Sequence, residues 1–174
     1  MNKEIMLLAL KSLDHHLDVP TKLLIGGGAA MLLAYGFPVS TLDIDGLVFQ
    51  SDITQVELDP LVKAVAKEHA LPADWLNSYF NTFLFALPRD YGSRLFQIFS
   101  GQQLTVYALS MEDLLVLKCF AGRQKDVGHA RALLRKIPDY RIVEDHLHAA
   151  RDRNLPGAEA AITFFEDLLE DVGI

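Results

Sequence analysis

Hydrophobic residues follow two patterns along the chain, and each pattern predicts one kind of element. Apolar residues three or four positions apart predict helices over residues 2–17, 58–71, 111–121, 125–136 and two stretches within 140–174. Short apolar runs bounded by turn-forming residues predict strands at 23–25, 47–49, 95–99 and 104–107. Together these elements predict an α/β (α+β) fold, in which helices cover a mixed β-sheet and the C-terminal part is helical.

Two stretches carry a weaker pattern, so alternatives stay open there. Residues 72–77 fit either the start of a helix or a turn. Residues 78–88 are rich in phenylalanine and fit a strand facing the core or a lid over a pocket, and we favour a place in the core. Because only helices are predicted after residue 108, we expect an α/β core at 1–108. A helical part at 109–174 packs on it to form a single compact unit.

Composition narrows the class of protein. The chain has 174 residues, of which 51% are hydrophobic and 22% charged, so it is globular and not disordered. Cys119 is the one cysteine, which excludes an internal disulfide and fits a reducing compartment. No apolar run is long enough to span a bilayer, and the N-terminus lacks the features of a signal peptide. We therefore expect a cytoplasmic protein with no membrane partner.

The charge is unevenly distributed. A net charge of −7 and a pI near 5.3 argue against extended, sequence-independent binding of nucleic acid. Residues 118–141 differ, because they contain seven basic residues against only Asp126 and Asp139. This basic segment, a candidate surface for an RNA partner, contains Lys118, Arg123, Lys125, Arg131, Arg135, Lys136 and Arg141.

The first candidate for chemistry is a glycine turn. Gly26, Gly27 and Gly28 follow the predicted strand at 23–25 and precede a short predicted helix at 29–35. The first amides of a helix have no partners within it, and the helix dipole adds partial positive charge there. A strand, a glycine turn and a helix start in this order therefore form a candidate phosphate site.

The second candidate is a pair of acids. Asp43 and Asp45 open the next strand, and residues i and i+2 of a strand point to the same face. Two adjacent carboxylates repel each other unless a cation joins them, and magnesium favours carboxylate oxygen. A phosphate site beside a carboxylate pair is typical of metal-assisted phosphoryl or nucleotidyl transfer.

An apolar strand, Gly-Gly, a small residue on a short helix and then Thr-x-Asp-Ile-Asp together resemble the nucleotidyltransferase superfamily. Within it, the pattern is most similar to small bacterial proteins related to the AbiEii type of toxin and to minimal nucleotidyltransferase-like domains. The resemblance implies a nucleotidyltransferase-like sheet, an NTP substrate and a site for one or two Mg²⁺ ions. It implies that Asp43 and Asp45 bind the metal, which activates the attacking hydroxyl and steadies the leaving pyrophosphate. The implied nucleotide-binding residues are Gly26, Gly27, Gly28 and Thr41.

A second block extends the resemblance. Leu115-x-x-Lys118 followed by Arg123-Gln124-Lys125-Asp126 is similar to a helix lysine and a following acid that face the active site of the toxin-like group. By resemblance, Lys118 contacts phosphate, and Asp126 either holds Lys118 in place or supplies a further acid. Many superfamily members carry a third carboxylate on a later strand. The two strands predicted after residue 94 have none in their bodies, and Asp90 is the nearest candidate.

These features predict a metal-dependent nucleotidyltransferase that transfers a nucleoside monophosphate from an NTP to a hydroxyl of an RNA, such as tRNA, or of a protein. The resemblance also raises a role as the toxin of a toxin–antitoxin pair. The alternative is a catalytically degenerate domain of the same fold that acts by binding. Its partner would be an antitoxin-like protein or a second copy of the chain in a homo-oligomer.

Overall fold

All 174 residues are described by a computed structural model, in which the chain clusters into two units. The first unit comprises Met1–Asn81 and Leu95–Leu109, and the second comprises Thr82–Arg94 and Ser110–Ile174. None of the helices combines the length and the apolar character that crossing a membrane requires. The predicted packing of residues 109–174 on a core at 1–108 stays a prediction.

The first unit contains a mixed sheet of five strands, in the order β3-β2-β1-β5-β4. The strands are β1 (Thr21–Ile25), β2 (Ile44–Val48), β3 (Leu76–Asn77), β4 (Phe96–Ser100) and β5 (Leu104–Ala108). β1 pairs antiparallel with β2 and parallel with β5, β2 pairs parallel with β3, and β4 pairs antiparallel with β5. The prediction of a mixed α/β sheet is therefore confirmed, although β3, at two residues, is too short to show any periodicity.

Three helices accompany this sheet: α1 (Lys3–His16), α2 (Gly27–Tyr35) and α3 (Gln55–Glu68). α1 buries Ala9 and Leu13 of the apolar face that its spacing predicts, but leaves Ile5 and Leu8 exposed. Asn2 caps the helix by accepting the Ile5 N–H at 2.9 Å. α3 begins earlier than predicted because Thr54 and Glu57 form a capping box, in which each side chain accepts the other's backbone N–H. The spacing of Thr54 and Glu57 in the sequence is typical of such a helix start.

The phenylalanine-rich stretch is not a strand, so that part of the prediction is wrong. It forms a 3-10 segment at Tyr79–Ala86, with local bonds such as Leu87 N–H to Leu84 O at 3.1 Å in place of sheet partners. Phe80 and Ala86 are buried, whereas Tyr79 is 79% exposed. A place in the core therefore holds for only some of its residues.

The second unit is helical, as predicted for the C-terminal part. Its main helices are α4 (Met111–Ala121), α5 (Val127–Leu134), α6 (Arg141–Asp152) and α7 (Ala158–Val172), with short 3-10 segments at Tyr91–Arg94 and Gln124–Asp126. α4 has its predicted bounds, because Ser110 caps its start and Gly122 ends it in the left-handed conformation. α4 packs against α5, α6 and α7. The predicted helix at 125–136 is shortened by the 3-10 turn that precedes α5.

Candidate functional site

Strand pairing brings the acid-bearing strand alongside the glycine turn. In the antiparallel register of β1 and β2, Ile25 lies opposite Gly46, and the Gly26 N–H donates to the Asp45 carbonyl at 2.8 Å. Gly46 is buried here, and a Cβ on it would lie 2.8 Å from Leu76 Cδ1 and 3.1 Å from Ile25 Cγ2. A glycine in this strand therefore allows close packing, which lets β2 lie between its two neighbours.

The Asp45 carboxylate lies directly against the glycine turn. Gly27 has a φ of +60°, and a Cβ at this position would lie 2.4 Å from Asp45 Oδ2 and 3.3 Å from its Cγ. Only glycine meets both demands, because it tolerates a positive φ and leaves room for the carboxylate. Gly26 is the N-cap of α2, and no side chain caps this helix start. A helix N-terminus and an acid of β2 thus share one small region.

Asp43 lies on the same side of β2 as Asp45. Ile44 between them is fully buried, whereas both aspartates are half-buried, as alternation along an extended segment requires. Two side chains hold Asp43: Asn77 Nδ2 donates to its Oδ2 at 2.8 Å, and Thr41 Oγ1 donates to its backbone carbonyl at 3.1 Å and lies 3.3 Å from its Oδ1. Thr41 therefore contacts Asp43, and Asn77 is a residue beside the acid pair that the sequence analysis missed.

The start of the 3-10 segment covers the other side of the turn. Phe80 is 7% exposed, and a Cβ on Gly26 would lie 3.2 Å from its ring. Gly26 thus lies against an aromatic ring and Gly27 against a carboxylate, and Gly28 is buried in the first turn of α2. Within the first unit, the structure therefore places Gly26 and Gly27 in contact with Asp45, and Thr41 in contact with Asp43.

The remaining two selected residues, Lys118 and Asp126, lie in the second unit, where they form a buried ion pair. They are 6% and 3% exposed, their charged ends are hydrogen-bonded, and Arg123 Nε donates to the same Asp126 carboxylate at 2.6 Å. Burial by itself raises the pKa of Asp126, but Lys118 and Arg123 outweigh it and hold that pKa below its usual range. The contact between Asp126 and Lys118 is the one that a role in holding Lys118 in place requires, and both predicted roles of Asp126 stay predictions.

His129 borders this pair. Its Nδ1 is buried without a hydrogen-bond partner. Burial first, and then the positive charge of Lys118, lowers the pKa of His129, so its imidazole is neutral near pH 7. Asp90, the nearest candidate for a further acid, is exposed and bound to Arg94 at 2.7 Å. No three His, Cys, Asp or Glu side chains are grouped so that they could hold a metal ion.

Ion pairs also occupy much of the basic segment 118–141. Four of its basic residues bind carboxylates, in the pairs Lys118–Asp126, Arg123–Asp126, Arg131–Asp171 and Arg141–Asp139. Lys125 and Arg135 are exposed and form no side-chain ion pair. The positive charge that the segment offers to a partner is therefore smaller than its composition indicates.

Comparison with known proteins identifies the family. No curated protein matches the chain, and no solved structure matches it. One family model, described as "Nucleotidyltransferase of unknown function (DUF6036)", matches residues 4–156. The resemblance to nucleotidyltransferases is thereby confirmed, while the AbiEii-type subgroup stays a prediction. The matched range includes the glycine turn, the Asp43–Asp45 pair and the Lys118–Asp126 pair, and the chain belongs to this nucleotidyltransferase family.

Proposed function

We propose that the protein is a magnesium-dependent nucleotidyltransferase, which transfers a nucleoside monophosphate from an NTP to a hydroxyl acceptor. One contact carries this proposal: the Asp45 carboxylate packs against Gly27, within 2.4 Å of the position that a Cβ would take. A carboxylate for a metal ion and a helix start for a phosphate are thus neighbours, as a metal-bound triphosphate requires. Membership of a nucleotidyltransferase family supports the same conclusion.

The donor set fits magnesium. Asp43 and Asp45 offer oxygen ligands from one side of β2, and magnesium in phosphoryl-transfer sites usually takes one or two carboxylates, with the substrate phosphates and water as its other ligands. A bound Mg²⁺, or two, would polarise the phosphate oxygens and offset their charge. Asp43 and Asp45 would hold the ion, and Thr41 and Asn77 would hold Asp43.

The glycine turn would bind the triphosphate. Its backbone allows close approach, and the N-terminus of α2 favours negative charge. In the transfer step, the acceptor hydroxyl oxygen forms a bond to the α-phosphorus and the bond to the bridging oxygen of the β-phosphate breaks. Pyrophosphate leaves and the hydroxyl proton passes to water. The protein's part is to position the triphosphate and stabilise its charge.

The roles implied for Lys118 and Asp126 belong to the same proposal. Lys118 would contact phosphate, and Asp126, with its depressed pKa, stays ionised at neutral pH and keeps Lys118 oriented through their hydrogen bond. If Lys118 binds the phosphates, Lys118→Met should raise the KM for the NTP even under conditions where the variant is fully folded. Lys11→Met, at an exposed lysine that forms no ion pair, is the control.

The acceptor in this proposal is a hydroxyl of an RNA, such as tRNA, or of a protein. With either acceptor, the protein could be the toxin of a toxin–antitoxin pair. RNA would bind through the exposed cations of the basic segment, of which Lys125 and Arg135 are unpaired. Transfer from an α-³²P-labelled NTP to purified tRNA, compared with transfer to protein, separates the two acceptors. RNA binding through this segment predicts an affinity that falls with salt and falls further in Lys125→Ala with Arg135→Ala.

The site itself is tested by calorimetric titration of ATP, GTP, CTP and UTP, each with magnesium. We expect the wild-type protein to bind one or more of them, and Asp43→Asn with Asp45→Asn to abolish that binding. The control variant, Asp52→Asn with Asp59→Asn, removes the same charge from exposed positions of the first unit and should bind normally. Undiminished binding by the Asp43/Asp45 variant would exclude this site.

Absence of binding by any nucleotide would favour the alternative, a catalytically degenerate domain. Such a domain would act through an antitoxin-like partner or as a homo-oligomer. A stable complex on size-exclusion chromatography, without nucleotide turnover, is its expected signature. We also propose that the protein acts in the cytoplasm, where an NTP-dependent reaction would find its substrate and magnesium.

A further inference from the structure

Strand β3 brings a third polar side chain to the face of the acid pair. β3 pairs parallel with β2, with Leu76 opposite Ile44 and Asn77 opposite Asp45. Opposite residues of paired strands share a face of the sheet. Ile44 and Leu76 are accordingly both buried, while Asp45 and Asn77 are both half-buried. The Asn77 side chain therefore stands on the side of β2 that carries the two carboxylates.

Both ends of the Asn77 amide are engaged. Its Nδ2 donates to Asp43 Oδ2 at 2.8 Å, and its Oδ1 accepts the Tyr79 N–H at 3.1 Å. Turning the amide over would place an oxygen against a carboxylate and an NH₂ group against an N–H. The two partners thus fix the orientation of the amide, and the amide in turn fixes one oxygen of Asp43.

Buried aromatic residues on either side hold Asn77 in place. Trp75 is fully buried, its indole Nε1 donates to Val62 O at 2.9 Å, and its own carbonyl accepts the Ile44 N–H at 2.7 Å. On the other side, the Phe80 ring packs on Gly26. The backbone on which Asn77 sits is therefore tied both to β2 and to the glycine turn, so the position of its amide is well defined.

We propose that Asn77 is a positioning residue, which orients the Asp43 carboxylate for the metal ion through its hydrogen bond to Oδ2. This inference rests on the proposed function. Magnesium requires near-octahedral geometry, so a metal carboxylate that rotates freely binds it less well. Outer hydrogen-bond partners of metal ligands typically change metal affinity by 10- to 100-fold when they are removed. Asn77 acts through Asp43 and does not itself contact the metal.

The test uses a ligand that needs no choice of base, the Mn²⁺ complex of inorganic tripolyphosphate, because manganese shares the oxygen preference of magnesium. We expect calorimetric titration to show about 10- to 100-fold weaker binding by Asn77→Leu than by wild type. Asn81→Leu, at an exposed asparagine of the following 3-10 segment, should bind as wild type does. Asn77→Ser, whose hydroxyl is too short to reach Asp43 Oδ2, serves as a second variant if the leucine disturbs folding. The melting temperature of each variant reports on folding.

A double-mutant cycle separates positioning from a general structural effect. If Asn77 acts through Asp43, adding Asn77→Leu to Asp43→Asn should change the remaining affinity by less than about twofold, because coupled residues are not additive. The same loss in both backgrounds would overturn the inference, as would wild-type affinity in Asn77→Leu and Asn77→Ser. Failure of the wild-type protein itself to bind would instead overturn the proposed metal and triphosphate site.

Discussion

Replacing Gly27 with alanine tests the contact on which the proposed site depends. The residue has a φ of +60°, and a Cβ there would lie 2.4 Å from Asp45 Oδ2. Two costs follow. The left-handed backbone conformation costs a residue with a Cβ about 1–2 kcal/mol. The Asp45 carboxylate must also move, because real Cβ atoms essentially never lie so close to another heavy atom.

Gly36→Ala is the matched control, at the other end of the same helix. Gly36 has a φ of +66°, and a Cβ on it would meet nothing within 4 Å. It therefore shares the backbone cost of Gly27→Ala and lacks the contact with a carboxylate. Gly36→Ala should lower the free energy of unfolding by about 1–2 kcal/mol, and Gly27→Ala should lower it by at least as much, because its Cβ also displaces the Asp45 carboxylate. Each kcal/mol lowers the melting temperature by about 2–4 °C.

Ligand binding should separate the two variants. Urea unfolding measures stability, and titration with the magnesium complex of the bound NTP measures the site. We expect Gly36→Ala to bind as wild type does and Gly27→Ala to bind at least about tenfold more weakly, equivalent to about 1.4 kcal/mol. Equal nucleotide affinity in the two variants would refute the reasoning that Asp45 must lie against the turn in order to bind the metal.

Three further predictions concern stability. Asp14→Ala should lower the free energy of unfolding by about 2–4 kcal/mol at pH 7, because the Asp14 carboxylate accepts three backbone N–H groups of the turn at residues 102–104, at 2.7–3.0 Å. Burial raises the pKa of Asp14, but those N–H groups outweigh it and hold the pKa below its ordinary 3.8. The cost of the substitution should therefore be full above about pH 5, begin to shrink near 3.8, and be lost as the pH falls through the lower pKa of the folded state. Free energies of unfolding measured at pH 7 and at pH 3 would reveal the decrease. Lys118→Met should lower the free energy of unfolding in urea by about 3 kcal/mol, because it leaves Asp126 buried without its lysine. Adding Asp126→Leu should recover part of that stability, and no recovery would contradict the pairing. Ser110→Ala should cost about 1 kcal/mol by removing the α4 cap, and an unchanged urea midpoint would show that the cap contributes nothing.

The elements with strong local signals were predictable. Ser110 and Gly122 mark the two ends of α4, and the apolar spacing within residues 2–17 predicts that α1 is a helix. The strand, glycine turn and helix around Gly26 were also predictable from the sequence, since each depends on residues adjacent in the chain. The capping box of Thr54 and Glu57 is a further local signal. The apolar spacing does not include it, and the predicted start of α3 is therefore too late.

The elements that depend on distant partners were not predictable. β3 has only two residues, and it forms because the backbone of β2 pairs with it. The Tyr79–Ala86 segment has the composition of a strand, yet it forms 3-10 turns because its backbone bonds locally. The composition of residues 118–141 predicts a basic face, but the pairing of Arg131 with Asp171 depends on the packing of α5 and α7.

The sequence by itself determined which groups are available for chemistry, namely a helix start preceded by glycines and two acids on one face of a strand. Both depend on local periodicity and on the conformational range of glycine. Only the tertiary structure decided that the Asp45 carboxylate lies against Gly27 and that Asn77 binds Asp43, 34 residues away in the chain. The reason is physical: strand register, set by the packing of buried residues such as Ile44 and Leu76, decides which distant side chains meet.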